Sequence, residues 1–124
     1  KAAPAAYLGM AAAYYNNSDY KEALEYYDSF IEKYPKHMLM DQAMSGKAYV
    51  LFSMGGYKDA ASTLEAAIEK YPDSAFCADM KMRLAECYIK TGEKDKAKTL
   101  YASILEKEQG TFRASTAQRK ISGL

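Results

Sequence analysis

Residues 37 positions apart in this chain keep matching one another. Ala11, Ala48 and Ala85 fall in register, and so do Ala23, Ala60 and Ala97. Tyr14, Leu51 and Tyr88 correspond, as do Tyr27, Leu64 and Tyr101. The run Glu32-Lys33-Tyr34-Pro35 returns as Glu69-Lys70-Tyr71-Pro72 and fades to Glu106-Lys107-Glu108-Gln109. A fixed period in this range marks a stack of supersecondary units, each unable to bury its apolar face alone. Stacked helical repeats present extended surfaces that hold other proteins.

Helical periodicity fills each period. Pro4 suits a first helical turn, where its missing N–H costs nothing. Leu8, Ala11, Ala12 and Tyr15 follow at helical spacing up to Asn16-Asn17-Ser18. Ser18 is a candidate cap for the next helix, and Asp19 with Glu22 offers a capping box. That helix carries Tyr20, Ala23, Leu24, Tyr27, Phe30 and Ile31 on one side and stops at Tyr34-Pro35. The second unit runs from about Leu39, turns at Gly55-Gly56 and ends at Tyr71-Pro72. Asp73-Ser74 is a candidate cap for the third, which turns at Gly92 and returns to Lys107. Thr111 can cap a last helix bearing Ala117, Ile121 and Leu124. No stretch sustains a period of two, so no sheet is expected.

The pattern predicts one all-α domain over 1–124, with units at about 4–35, 38–72 and 74–109 and a capping helix at about 111–122. At 124 residues such a chain can bury about two-thirds of its unfolded surface. The repeated alanines let paired helices approach, and the tyrosines fill the gaps between hairpins, as close packing requires. A bulky replacement such as Ala60→Leu is expected to cost about 1–3 kcal/mol through overpacking.

Charge is balanced, with 17 basic against 16 acidic side chains. A nucleic-acid footprint needs a clustered basic excess, which this chain does not have. No apolar run reaches the length of a membrane span. The chain opens at Lys1, which reads as an excised or processed piece of a longer protein. Cys77 and Cys87 lie about 15 Å apart along one helix, beyond disulfide reach, and read as small core fillers.

The order of residues in the second unit, Ala48, Leu51, Gly55, Tyr57, Ala60, Leu64, Ala67-Ile68, Pro72, resembles the tetratricopeptide repeat (TPR). The resemblance recurs three times and implies a right-handed α-α superhelix of three hairpins plus the capping helix. That family's period is about 34, and the longer one here is similar to repeats of bacterial cell-envelope proteins, such as Tol–Pal accessory proteins and outer-membrane assembly lipoproteins. The linker Tyr71-Pro72-Asp73-Ser74 points the same way, implying a periplasmic or envelope location, with the cytoplasm left open. Ser18 stands where glycine is usual, Lys94 where tyrosine is, and Gln109 where proline is. Terminal repeats depart from pattern because one face meets water.

In this family the first helix of each hairpin lines the concave side. By register that side presents Leu8, Tyr15 and Asn16, then Tyr49 and Phe52, then Met82, Glu86, Ile89 and Lys90, with Ala5, Ala12, Gln42, Ser45, Ser53 and Asp79 around them. The resemblance implies a scaffold that holds a peptide or protein segment in an apolar, aromatic groove, with Glu86 and Lys90 as an i, i+4 ion pair at its edge. Some members grip acidic chaperone tails through Lys, Asn and Arg. The matching positions are Leu8, Ala12, Ser45 and Tyr49, which offer no cation, so chaperone-tail binding is not expected.

No cofactor, metal site or catalytic constellation is expected. His37 is alone and beside Lys36 in a linker that should be exposed, and Ser62-Thr63 and Ser115-Thr116 have no base nearby in sequence. An alternative role is self-assembly. Ala3, Ala6, Tyr7, Met10 and Ala13 on the first helix would form an apolar end face suited to a homodimer or to further repeats.

Overall fold

The computed structural model describes residues 3–108 and 110–124. Lys1, Ala2 and Gln109, the last being the position where proline is replaced, lie outside the described residues. The described residues form seven helices and no strand: α1 (Pro4–Asn16), α2 (Tyr20–Lys33), α3 (Met40–Ser53), α4 (Tyr57–Lys70), α5 (Cys77–Lys90), α6 (Lys94–Lys107) and α7 (Phe112–Ser122). Each helix packs on the next in sequence, so three antiparallel hairpins stack into a solenoid closed by α7.

The turn inside each hairpin repeats at atomic detail. Asp19 N–H donates to Tyr14 O at 2.8 Å, Gly56 N–H to Leu51 O at 2.8 Å, and Glu93 N–H to Tyr88 O at 2.7 Å. All three turns pass through a left-handed residue, namely Ser18 (φ 63°), Gly55 (φ 83°) and Gly92 (φ 83°). This is the Schellman closure, which glycine enters without the Cβ penalty. Ser18 therefore ends α1 instead of capping α2. The Asp19–Glu22 capping box is also absent, because the Asp19 carboxylate accepts from Asn17 Nδ2 at 2.8 Å and makes no cap bond.

Between hairpins, Ser74 organises the linker but does not cap a helix end. Its hydroxyl donates to Asp41 Oδ2 at 2.6 Å and accepts from Phe76 N–H at 3.0 Å, two residues ahead in the chain. Thr111 does cap α7, accepting from Ala114 N–H at 3.1 Å. His37 is half-buried, contrary to expectation. Its ring stands edge-on to Phe30 at 5.4 Å while Nδ1 accepts from Leu39 N–H, so it pins the linker.

All six register alanines, from Ala11 to Ala97, are fully buried. Tyr27, Leu64 and Tyr101 sit beside them in three successive core clusters. Six of the seven helices have no side-chain N-cap. Helices of 13 or 14 residues are marginal alone, so tertiary burial holds them in place. Both cysteines are buried free thiols.

Candidate functional site

A cleft of about 460 Å³ opens between α5 and α7, with Tyr49 of α3 reaching its wall. Met82 from α5 and Phe112 and Thr116 from α7 line it, beside Asp79, Arg83, Glu86 and Arg113. The local sequence explains this placement. The Thr111 cap starts α7 with Phe112 outside the core, because the helix turns Ala114 and Ala117 inward. Phe112 is left 81% exposed.

Arg83 is the centre of the site. Its guanidinium lies 4.6 Å from the Tyr49 ring centre and 4.7 Å from that of Phe52, and it binds Glu86 Oε2 at 2.9 Å. Its Nε is buried with no hydrogen-bond partner among the described residues. Arg113 bridges Asp79 at 3.0 Å and Glu108 at 2.7 Å, tying α7 to α5 and to the end of α6. Burial raises the Tyr49 hydroxyl above its ordinary pKa, with Arg83 partly opposing the shift. Bonding to Asp79 raises that of Arg113. Near neutral pH Tyr49 therefore stays a neutral phenol and Arg113 stays charged. The cleft combines apolar walls with two arginines that already hold carboxylates.

The residues anticipated for the groove separate into three groups. Tyr49, Met82 and Glu86 line the cleft, and Phe52 lies under Arg83 and edge-on to Tyr57 at 5.0 Å. Tyr15, Asn16 and Lys90 lie outside the cleft lining. Tyr15 is hydrogen-bonded to Ser53 Oγ at 3.1 Å, Asn16 is exposed, and Lys90 sits 5.8 Å over the Tyr57 ring. Leu8 and Ile89 are packing residues. Leu8 is buried in the first core cluster, as Ser45 is buried in α3, because α1 touches α3 and α3 touches α5. Their register partner Met82 is half-buried against the cluster of Ala85 and keeps one side on the cleft between α5 and α7. Ile89 packs half-buried on the cluster of Ala85, Tyr101 and Ile104. The Glu86–Lys90 pair does not form, because Arg83 is the nearer partner for Glu86.

Sequence reasoning passed over Arg83, Phe112 and Arg113. A signal for Arg83 was present: the register holds Gly9, Gly46 and then Arg83, so a long cation replaces two glycines. Among the described residues no cluster of His, Cys, Asp and Glu could hold a metal ion. No helix among them is long and apolar enough to cross a membrane.

These features define a helical-repeat solenoid with a lateral cleft. The chain belongs to the tetratricopeptide repeat family, whose models match residues 51–121 and 5–37. No curated protein matches it significantly. Similar solved structures include the first TPR domain of Spaghetti (RPAP3) bound to the HSP90 peptide SRMEEVD, at 20% identity and a TM-score of 0.81 over 97% of this chain and 90% of that one. The N-terminal domain of stress-induced protein-1 from C. elegans aligns at 18% identity and a TM-score of 0.78, over 94% and 92%. The second TPR domain of human RPAP3, in complex with the HSP70 peptide SGPTIEEVD, aligns at 18% and 0.76, over 97% and 98%.

Proposed function

We infer that this domain is a non-catalytic interaction module that seats an extended peptide segment in the cleft between α5 and α7. The supporting observation is the pairing of an exposed phenylalanine, Phe112, with the apolar surfaces of Tyr49 and Met82 around a cleft of about 460 Å³. Apolar walls with a few fixed polar groups are what binding sites offer to bulky anchors. Arg83 and Arg113 are engaged with Glu86, Asp79 and Glu108, so the cleft is close to neutral and favours an apolar or aromatic anchor over an acidic tail. The acidic peptides seen on the similar domains are for that reason not the cargo inferred here. The 37-residue period and the Tyr71-Pro72-Asp73-Ser74 linker support a place among bacterial cell-envelope repeats.

A displayed peptide library selected on the domain tests the reading. Selected peptides should lose at least tenfold in affinity for Phe112→Ala and for Met82→Glu, with melting temperatures unchanged for the former. Tyr49→Ala with Phe52→Ala is the poorer probe, because both rings support Arg83 and their loss also disturbs packing. Selected peptides that bind Phe112→Ala and the parent alike would place the working surface elsewhere.

A further inference from the structure

The outer side of the first hairpin is an open copy of an interface that the solenoid uses three times, where α2 meets α3, α4 meets α5, and α6 meets Ala117, Ile121 and Leu124 at the C-terminal end. On α1, Ala6, Met10 and Ala13 are exposed, Met10 by 43%. Their counterparts 37 residues on are Ala43, Lys47 and Val50 of α3, packed against α2. A further 37 residues on they are Met80, Leu84 and Cys87 of α5, buried against α4 with Ala61, Leu64 and Ala67. Among the described residues nothing covers, on α1, the face that α2 covers on α3 and α4 on α5.

The covered copies differ in chemistry: the third has Ala102 in register with Glu65 and no counterpart of Tyr88, whereas α1 has the tyrosine of the second. Where α2 meets α3, Asp28 binds Lys47 at 2.8 Å. Where α4 meets α5, the residue in register with Asp28 is Glu65, which accepts from the Tyr88 hydroxyl. On the first hairpin the lysine position is Met10 and the tyrosine position is Tyr14, stacked on Tyr26 at 5.5 Å. Helix α1 carries no charged side chain at all. A partner can therefore place leucine and alanine on Met10 and its neighbours, and one carboxylate at Tyr14.

We propose that this face docks an amphipathic helix of the α4 pattern, with leucine facing Met10, glutamate one residue later meeting the Tyr14 hydroxyl, and alanine three residues after the leucine. Among the described residues, a second copy of this chain has no such helix free to offer. The stripes Ala23/Tyr27/Phe30, Ala60/Leu64/Ala67 and Ala97/Tyr101/Ile104 are already buried inside the stack, between their own hairpin and the next helix. The exposed positions of α7 are Phe112, Ser115, Gln118, Arg119, Lys120 and Ser122, which have one large apolar side chain and no leucine, glutamate, alanine pattern. This face is separate from the cleft, so the inference stands or falls apart from the peptide reading above.

The probe is a fluorescent peptide with the sequence of residues 56–72, carrying Ala66→Glu joined to Lys70 by a side-chain lactam that holds it helical through its exposed side. Titrated with the whole chain, it should give a saturable rise in anisotropy. Met10→Glu in the chain should weaken binding at least tenfold, with its melting temperature kept. A Glu65→Gln peptide should bind about three- to tenfold more weakly than the parent peptide, a difference that Tyr14→Phe in the chain should erase. No saturation up to about 1 mM would overturn the proposal, and so would equal binding to Met10→Glu. Sedimentation of the chain alone gives the other decisive outcome. A dimer abolished by Met10→Glu would assign the face to a second copy and overturn the helix assignment.

Discussion

Gly46 lies in the middle of α3, where an ordinary helix would gain from alanine, yet the structure predicts that alanine there destabilises the protein. A Cβ at Gly46 would stand 2.3 Å from Tyr27 Cζ and 2.5 Å from both Cε1 and Oη. Ordinary contact begins at 3.4 Å, so the ring must retreat by more than about 1 Å within a nearly closed core. Overpacking of this size costs about 1–3 kcal/mol, against about 1 kcal/mol gained in helix propensity. The net expectation is a loss of up to about 2 kcal/mol, visible as a lower urea midpoint at constant slope. Gly9, its register partner in α1, would have nothing within 4 Å of an added methyl group, so Gly9→Ala should stabilise by about 1 kcal/mol. In a Tyr27→Leu background, the penalty at position 46 should vanish and Gly46→Ala should become stabilising. The cycle would show a coupling of about 1–3 kcal/mol. If Gly46→Ala stabilises the parent protein as much as Gly9→Ala does, the Tyr27 ring is not the reason for the glycine.

Ser18→Gly should stabilise by up to about 1 kcal/mol, since Ser18 holds the left-handed turn that glycine holds at 55 and 92. A matched loss on chemical denaturation would show that the serine has a compensating role. Tyr101→Phe should be neutral or stabilising, because the buried Oη has no hydrogen-bond partner among the described residues. A loss above about 1 kcal/mol would reveal one. Burial pushes the Cys87 thiol from 9.0 up to about 11 and the Tyr101 hydroxyl from 10.0 up to about 12. Above pH 9 the unfolded chain therefore releases protons that the folded chain keeps, and stability should fall with rising pH, by at most about 1.4 kcal/mol per pH unit per group. Cys87→Ala should flatten that fall between pH 9 and 11, as read by denaturation across the range. An unchanged slope would place the titration elsewhere.

What could be read from the chain depended on whether a position recurs. The alanines at 11, 48 and 85 have the same neighbours in every unit, so one rule of close packing placed all three. The turns at 55 and 92 were readable from glycine. Ser18 was misread as a cap because serine is a common capping residue, whereas its place in register with the two glycines carried the better information. The groove was harder, because its residues depend on how far apart successive first helices stand. Leu8, Ser45 and Met82 share one register position, yet two are buried and one lines the cleft. Sequence periodicity assigns a residue to a helix face. It does not give the separation of helices two apart in order, and that separation decides whether the face is open.

The register also explains why a cation can enter the cleft at all. Tyr27, Leu64 and Tyr101 are equivalent positions, and so are Gly9, Gly46 and Arg83. Tyr27 projects onto α3 where Gly46 has no side chain, so a large residue and an absent one form a matched pair. In the next unit the large residue shrinks to Leu64, and the position that faced it is no longer confined to glycine. Arg83 uses that freedom, extends across Tyr49 and Phe52 and meets Glu86 at the cleft. A single change of core volume, from tyrosine to leucine, thus carries through to the chemistry of the cleft.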